Sequence, residues 1–178
     1  MDQRTGAMLI GLSGLPGVGK TTIARELARA ANAVHLRIDS IEQALRNEGV
    51  TVEGHGYRVA YAIAADNLRL GHLVIADCVD PWPLTRNEWR AVADRAGVRM
   101  IDVAVVCSDV IEHRRRVERR RADIDGHALP TWAEVLALDY RPWTTECLML
   151  DTAQLSVPRC VEMLLNATSA SRITGRRP

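Results

Sequence analysis

The feature that most constrains this chain is a glycine-rich segment near its N-terminus, which contains the only lysine among 178 residues. Residues 14–21 read Gly-Leu-Pro-Gly-Val-Gly-Lys-Thr and match the phosphate-binding loop pattern GxxxxGK[ST] at every position. An apolar run at 8–12 precedes the loop and a helical segment at 20–31 follows it, so strand, loop and helix stand in the order that a P-loop requires. We interpret this segment as a binding site for a nucleoside triphosphate.

The chemistry of the loop follows from its residue types. The glycines allow successive backbone N–H groups to turn toward one phosphate, and the following helix adds the positive end of its dipole. Lys20 is expected to reach the β- and γ-phosphates, and the hydroxyl of Thr21 is expected to bind Mg²⁺. The predicted nucleotide contacts are Gly14, Leu15, Pro16, Gly17, Val18, Gly19, Lys20, Thr21 and Thr22.

The bulk properties are typical of one globular domain. The length suffices for a single core, and a net charge of +1 argues against bulk electrostatic capture of nucleic acid or of a membrane. No apolar run is as long as a membrane span, no signal-peptide core is present, and four widely spaced cysteines favour free thiols over disulfides. We expect one cytoplasmic enzyme domain at 1–167, monomeric or homodimeric, and a disordered tail at 168–178.

Apolar runs that predict strands alternate with amphipathic segments that predict helices. The predicted strands are 8–12, 33–38, 73–78, 99–107 and 147–151; the predicted helices are 20–31, 41–48, 57–70, 86–96, 109–122, 132–140 and 157–166. Continuous apolar strands separated by helices are typical of a parallel sheet covered on both faces, so the pattern predicts an α/β fold. Capping boxes at Ser40, Thr85 and Thr131, and a looser one at Asp109, place helix starts near the carboxyl ends of strands, where the ligand crevice of such a sheet lies.

Two aspartates follow predicted strands at that edge. Asp77 ends a run of four apolar residues, the Walker-B pattern, and is expected to hold Mg²⁺ opposite Thr21; a carboxylate that caps a turn is the alternative. Asp39 stands directly before Ser40 and could accept the proton of an attacking hydroxyl or serve as the helix cap itself. The five histidines show no metal-ligand spacing and are expected to be structural or exposed.

Arginines supply the remaining candidates. Arg86 lies in the first turn of a predicted helix, where a cation is unfavourable, so a substrate or phosphate is expected nearby; solvated surface is the alternative. Residues 114–121 contain six arginines in eight positions, and Arg116 and Arg120 share a predicted helix face. We interpret this run as a mobile lid that closes over the triphosphate, while a nucleic-acid patch and a solvated helix stay open.

Absent motifs narrow the class of nucleoside triphosphatase. The guanine-reading Asn/Thr-Lys-x-Asp motif of common GTPases needs a lysine other than Lys20, and the chain has none. Cys78 stands where motor, transporter and unfoldase ATPases usually place a glutamate after the Walker-B aspartate. A small kinase that transfers phosphate to an organic acceptor remains.

The segment from Gly11 to Leu27, the strand end at 37–39 and the arginine-rich run at 112–121 resemble the small P-loop kinases, which include adenylylsulfate kinase, gluconokinase and chloramphenicol phosphotransferase. The resemblance covers residues 8 to about 166. It implies a five-stranded parallel sheet in the order 2-3-1-4-5, flanked by helices, with the acceptor between the helices after strands 2 and 3. Asp39 matches only the leading aspartate of the Asp-Gly-Asp-Asn that follows strand 2 in adenylylsulfate kinases, so the acceptor stays open.

The favoured hypothesis is an ATP- and Mg²⁺-dependent phosphotransferase that acts on a hydroxyl of a small molecule, with no nucleic-acid or membrane partner. Its catalytic residues would be Lys20, Asp39, Arg86, Arg116 and Arg120, and its Mg²⁺ ligands Thr21 and Asp77. One alternative is a nucleotide kinase with a phosphate acceptor, for which Arg37, Arg58, Arg86 and Arg90 could supply the charge. A nucleotide-dependent binding or regulatory module that engages RNA or DNA is another.

Overall fold

The computed structural model describes residues 6–170, and within that range five strands alternate with seven helices. The elements are β1 (Met8–Ser13), α1 (Lys20–Ala31), β2 (Val34–Arg37), α2 (Ile38–Asn47), α3 (His55–Arg69), β3 (Leu73–Asp77), α4 (Pro83–Ala96), β4 (Arg99–Val106), α5 (Val110–Arg119), α6 (Trp132–Ala137), β5 (Leu148–Asp151) and α7 (Val157–Ala170).

The strands form one parallel sheet in the order β2-β3-β1-β4-β5. This order confirms the one implied by the resemblance to small P-loop kinases. Every residue of β1 and β3 is buried, as the continuous apolar runs predicted, because helices cover both faces of the sheet. The carboxyl ends of β1, β2 and β3 therefore meet at one edge, and the P-loop leaves the sheet there.

Two hydrophobic layers form the core, one on each face of the sheet. Successive residues of a strand point to opposite faces, so Ile10 of β1 packs with α1 and α7 while Leu9 packs with α3 and α4. Trp89 of α4 is fully buried in the second layer, with its ring edge-on to Tyr61 at 4.6 Å between centroids. These layers hold β1 and α1 in place on either side of the P-loop.

The start of α2 differs from the predicted capping box at 40–43. The helix begins at Ile38 directly after β2, with the backbone of Arg37 at its N-cap and no side-chain cap. Ser40 consequently lies inside the first turn, and the prediction that it caps the helix is wrong. Ile38 is buried, and a helix that begins at this residue, directly after β2, keeps its apolar side chain in the core.

The start of α4 also differs from the predicted box at 85–88. Pro83 opens this helix after the extended residue Trp82, because its fixed φ suits a first helical turn. The hydroxyl of Thr85 donates to the carbonyl of Trp82 at 3.0 Å, so it does not cap the helix. By contrast, the capping box at Thr131 and the side-chain cap at Asp109 are confirmed.

Helix ends differ from the predicted ones by a few residues. α5 ends at Arg119 rather than 122, and α7 continues to Ala170, past the predicted domain end at 167. The rest of the predicted tail, 171–178, lies outside the described residues. The four cysteines carry free thiols, as expected. In the range 6–170, no helix has the length and apolar character needed to cross a membrane.

Candidate functional site

A cavity of about 1150 Å³ opens at the carboxyl edge of the sheet. Its walls come from the P-loop, the first turns of α1 and α2, the end of β3, the inner side of α5 with the segment after it, and the loop between β5 and α7. The predicted site residues that line it are Pro16, Gly17, Gly19, Lys20, Thr21, Thr22, Asp39, Asp77, Arg116 and Arg120. The folded chain thus brings most of the predicted site together around one space.

The P-loop is pressed against β4 and α5, which explains two of its glycines. Gly14 has φ +150°, and a Cβ there would stand 2.2 Å from the carbonyl oxygen of Val105. Gly17 has φ +86°, and its Cβ would stand 2.5 Å from Val117. A side chain at either position would push the loop away from the strand and helix behind it.

Lys20 is buried at the centre of the loop. Its ammonium donates to the carbonyl of Gly14 at 2.7 Å and to the carbonyl of Leu15 at 2.9 Å. Burial lowers the pKa of Lys20, while the negative charges of Asp77 and Asp39 oppose that shift. A cation is therefore held where the loop turns, with neutral carbonyls rather than a carboxylate as its direct partners.

Asp77 ends β3 beside the P-loop and is almost fully buried. Burial by itself would raise its pKa, but a hydrogen bond from His35, the charge of Lys20 and a hydrogen bond from Thr21 together hold the pKa below its usual value. Since the ionised carboxylate can only accept, Nε2 of His35 donates to Oδ2 of Asp77, at 3.1 Å. The site keeps a charged carboxylate next to a threonine hydroxyl.

The donor set of Thr21 and Asp77 fits Mg²⁺, which prefers hard oxygen ligands and usually binds one or two protein groups together with phosphate oxygens. Within residues 6–170 there is no group of three or more His, Cys, Asp or Glu side chains arranged to hold a metal ion. The described residues thus suit a metal ion that is shared with a phosphate ligand better than one held in a protein cage.

Asp39 lies in the first turn of α2, because β2 runs into the helix without a loop. A carboxylate is favoured there by the helix dipole. The side chain does not cap the helix; it lines the cavity, with one oxygen 3.7 Å from Nη2 of Arg37. The cap alternative for Asp39 is contradicted, and its carboxylate is left available to a ligand.

The two predicted lid arginines have different partners. Arg116 donates to the carboxylate of Glu112 and, at 2.8 and 3.1 Å, to the hydroxyl and carbonyl of Thr152. The hydroxyl of Thr152 in turn lies 2.8 Å from the carbonyl of Val18 in the P-loop. Arg116 therefore joins α5 to the P-loop through the segment after β5.

Arg120 follows the last residue of α5 and has no such partners. Among residues 6–170 its Nε has no hydrogen-bond partner although it is buried. Burial lowers the pKa of the guanidinium, while the charge of Asp39 raises it. Arg115 and Arg119 line the cavity as well, whereas Arg114 is exposed and pairs with Glu118. The arginine run is thus divided between a side that faces the cavity and a solvated side.

Arg86 does not line the cavity. It is 2% exposed and donates to the carbonyls of Asp80 at 3.0 Å and Arg141 at 2.7 Å, while its guanidinium lies 4.4 Å from the ring centroid of Trp143. Main-chain carbonyls and an aromatic face satisfy the cation that the sequence placed at a helix N-terminus. The expected contact of Arg86 with a substrate or phosphate is therefore replaced by a structural role.

The weaker candidates Arg58 and Arg90 also lie away from the cavity. Arg58 donates to the carbonyl of Glu53. Arg90 pairs with Asp102 at 2.7 Å and hydrogen-bonds Thr145. Of the four arginines considered for a phosphate acceptor, Arg37 is the one that lines the cavity.

The polar residues of the site that sequence reasoning missed include Arg25, His35, Thr152 and Asp123. His35 and Asp77 meet because β2 and β3 are neighbours, and the expectation of merely structural histidines overlooked that pairing. His35 stands two positions before the strand end at Arg37, and the register that pairs Arg37 with Asp77 is set by the tertiary structure. Asp123 gave no signal either, because its partners are distant in sequence.

The fold and this cavity define a P-loop nucleotide-binding domain of the small-kinase type. The family described as "AAA domain" matches residues 9–138, and the chain belongs to this family. The "Probable adenylyl-sulfate kinase" of Aeropyrum pernix is 31% identical over 111 residues, which cover 57% of this chain and 60% of the relative. The chain therefore spans less than two thirds of the length of that relative.

Solved structures share the fold at low sequence identity. The APS kinase CysC of Mycobacterium tuberculosis, in complex with AMPPNP and APS, has a TM-score of 0.70 at 18% identity, covering 92% of this chain and 98% of that chain. A gluconokinase from Sinorhizobium meliloti 1021 has a TM-score of 0.65 at 16% identity, covering 98% of this chain and all of the other. Together with the family match and the similarity to a probable adenylyl-sulfate kinase, this shared fold confirms the predicted resemblance to the small P-loop kinases.

Proposed function

We propose that this protein transfers the γ-phosphoryl group of ATP to a hydroxyl group of a small molecule in a Mg²⁺-dependent reaction. One observation carries the proposal: a single cavity is lined by the P-loop with Lys20, by Thr21 and Asp77, and by the carboxylate of Asp39 in the first turn of α2. The sequence similarity to a probable adenylyl-sulfate kinase and the fold of other small kinases support the same reaction class.

The donor side of the cavity would bind the triphosphate through charge and backbone N–H groups. Lys20 and the first turn of α1 supply the positive end of that site, and Arg120 supplies guanidinium donors that have no partner in the described residues. Thr21 and Asp77 would hold Mg²⁺, which when bound neutralises phosphate charge. Arg116 would act as a positioning residue, because its donors are already engaged by Glu112 and Thr152.

The acceptor side would use Asp39. Its carboxylate is accessible from the cavity and could accept the proton of the attacking hydroxyl as the new P–O bond forms. Nη2 of Arg37 lies 3.7 Å from this carboxylate, on the same side of the cavity. The similarity to an adenylyl-sulfate kinase does not identify the acceptor, since the residues after Asp39 differ from the pattern of those enzymes.

Two alternatives are less well supported. For a nucleotide kinase, the sequence offered Arg37, Arg58, Arg86 and Arg90 as partners of a phosphate acceptor, and Arg58, Arg86 and Arg90 lie away from the cavity. A nucleic-acid module needs an exposed basic surface, but acidic partners take up Arg114 and Arg115. A cytoplasmic location and a monomeric or homodimeric state stay predictions from the sequence.

The first experiment is a calorimetric titration with Mg·AMPPNP, followed by a screen of small hydroxyl compounds and nucleoside monophosphates for ADP release. We expect nucleotide binding by the protein alone and turnover with a hydroxyl compound. Absence of nucleotide binding would discard the proposal, and turnover with monophosphates alone would replace it by the nucleotide-kinase alternative.

The role of Asp39 is tested by Asp39→Asn. We expect unchanged Mg·AMPPNP affinity and a loss of about 10²- to 10⁴-fold in phosphoryl transfer, the usual contribution of a general base. Asp66→Asn, an exposed aspartate on α3, is the matched control. Wild-type transfer in Asp39→Asn would remove its proposed role as base.

A further inference from the structure

We propose that Arg25 and Arg37 form a subsite for an oxyanion carried by the acceptor, and that Asp123 occupies this subsite in the free protein. The oxyanion would be a carboxylate, sulfate or phosphate group. This inference rests on the proposed function of the cavity and specifies the chemistry of its acceptor.

The starting observation is a carboxylate held by two arginines from different elements. Oδ2 of Asp123 accepts a hydrogen bond from Nη1 of Arg37 at 2.9 Å and another from Nη2 of Arg25. Arg25 comes from α1 and Arg37 from the end of β2, and all three residues line the cavity. Two guanidinium groups that converge on one carboxylate oxygen form a geometry that also suits a sulfate, phosphate or free carboxylate.

Burial indicates which partner is the exchangeable one. The side chain of Arg37 is 11% exposed, whereas that of Asp123 is 41% exposed. Asp123 belongs to the segment between α5 and α6, which has no helix or strand of its own. A buried guanidinium needs an anionic partner in every state of the protein, but the exposed loop carboxylate can be replaced by a ligand.

Arg37 has donor capacity beyond its contact with Asp123. In the part of the chain that the structure describes, Nε of Arg37 is buried without a hydrogen-bond partner, and so is Nε of Arg120, which lines the same cavity. An oxyanion has more acceptor positions than the single carboxylate oxygen now shared by the two arginines. A buried unpartnered donor on each of two arginines that line one cavity indicates that a ligand with several oxygens completes this region.

The subsite belongs to the acceptor rather than to the triphosphate. Nη2 of Arg37 lies 3.7 Å from Asp39, the proposed proton acceptor, so an anion bound to Arg37 lies beside the group that would meet the acceptor hydroxyl. The triphosphate already has the P-loop and Lys20. An acceptor that carries a hydroxyl and an oxyanion would contact Asp39 and Arg37 together.

The alternative is that Asp123 has only a structural role, in which its ion pairs with Arg25 and Arg37 hold the segment between α5 and α6 against α1 and β2. An NMR titration distinguishes the two, with the P-loop first saturated by Mg·AMPPNP so that added anions cannot bind there. Sulfate, phosphate and acetate are titrated separately at constant ionic strength, and arginine Nε–H and backbone amide signals are followed. The three anions show which oxyanion the subsite prefers.

Asp123→Asn should tighten binding of the preferred anion by about threefold to fivefold, because it removes a competing carboxylate from partly exposed ion pairs. Asp125→Asn is the matched control: it makes the same charge change two residues away, at an exposed position that does not line the cavity. Arg37→Gln should abolish saturable anion binding. If Arg37→Gln does not fold, the comparison of Asp123→Asn with Asp125→Asn still tests the subsite.

Equal affinities in Asp123→Asn and Asp125→Asn would overturn the proposal, because the effect would then be one of net charge alone. Absence of saturable anion binding in Asp123→Asn would overturn it as well. In both cases, intact Mg·AMPPNP binding would leave the proposed phosphotransferase function standing. Failure of nucleotide binding in the wild-type protein would instead reject that function, and the acceptor subsite with it.

Discussion

Substitution of Lys20 by methionine should separate the function of the P-loop from its stability. We expect Lys20→Met to bind Mg·AMPPNP far more weakly than the wild-type protein while its free energy of unfolding changes little. The reason lies in the environment of the ammonium, which is buried and has neutral carbonyls as its direct partners.

The expected change in stability is the difference of two opposing terms. Hydrogen bonds from a charged group contribute about 1.5–3 kcal/mol each, and Lys20 makes two, at 2.7 and 2.9 Å. Removal of an ammonium from water costs several kcal/mol, which agrees with the lowered pKa of Lys20. Methionine keeps the apolar stem of the side chain. The free energy of unfolding should therefore change by less than about 2 kcal/mol.

The expected loss in function is larger. When a polyphosphate is bound, its negative charge stabilises the buried ammonium, so the cost of burial no longer offsets the loss of Lys20. Loss of a charged donor to phosphate oxygens should cost about 3 kcal/mol or more in kcat/KM, or roughly 150-fold. Calorimetry with Mg·AMPPNP measures the binding part of this loss before any acceptor is known, and urea unfolding measures stability.

Arg29→Met is the control, since it removes one charge from an exposed position on the same helix. It should bind nucleotide as the wild-type protein does. Wild-type affinity in Lys20→Met would refute the assignment of the P-loop. A loss of more than about 4 kcal/mol in its free energy of unfolding would show that relief of the buried charge does not offset the two lost hydrogen bonds.

Three further changes test the surroundings of the site. Burial raises the pKa of Asp80 from 3.8 to about 6, so the stability that its protonated form contributes is complete below pH ~4 and is lost as the pH rises through about 6. Between pH 4 and pH 7, the free energy of unfolding of Asp80→Asn, measured with urea, should therefore rise by about 2–3 kcal/mol relative to that of the wild-type protein. Gly14→Ala would place a Cβ 2.2 Å from the carbonyl of Val105, and we expect a loss of about 3 kcal/mol or more in urea unfolding. His35→Ala removes the donor to Asp77, and we expect the Mg²⁺ concentration required for AMPPNP binding to rise about tenfold or more in calorimetry.

Each of these expectations has a contrary result. A constant difference between Asp80→Asn and wild type across pH 4–7 would show that burial does not shift the titration of this carboxyl. Unfolding of Gly14→Ala at the wild-type urea concentration would contradict the contact, and Gly19→Ala is the comparison, since a Cβ there first meets an atom at 3.6 Å. An unchanged Mg²⁺ requirement in His35→Ala would leave His35 without a positioning role.

The strand end at 37–39 is a place where local sequence patterns predicted the position of a residue correctly but the helix start wrongly. The apolar run placed Asp39 at the right edge of the sheet, but the predicted cap at Ser40 assumed a loop between β2 and α2 that does not exist. The buried Ile38 continues directly into the helix, because apolar burial outweighs the capping preference of a serine. The prediction that Asp39 lies at the site is unaffected by this error, since Asp39 lines the cavity.

The sequence by itself determined the P-loop, the parallel sheet and the Walker-B aspartate, because these depend on backbone conformations and apolar periods that neighbouring residues encode. The tertiary structure alone decided the partners of the charged side chains. Carbonyls of the distant residues Arg141 and Pro142 meet Arg86. A neighbouring strand brings His35 to Asp77, and a segment 86 residues away brings Asp123 to Arg37. A guanidinium or carboxylate can pair with whatever group the fold places within reach, so its role follows from topology rather than from its neighbours in the chain.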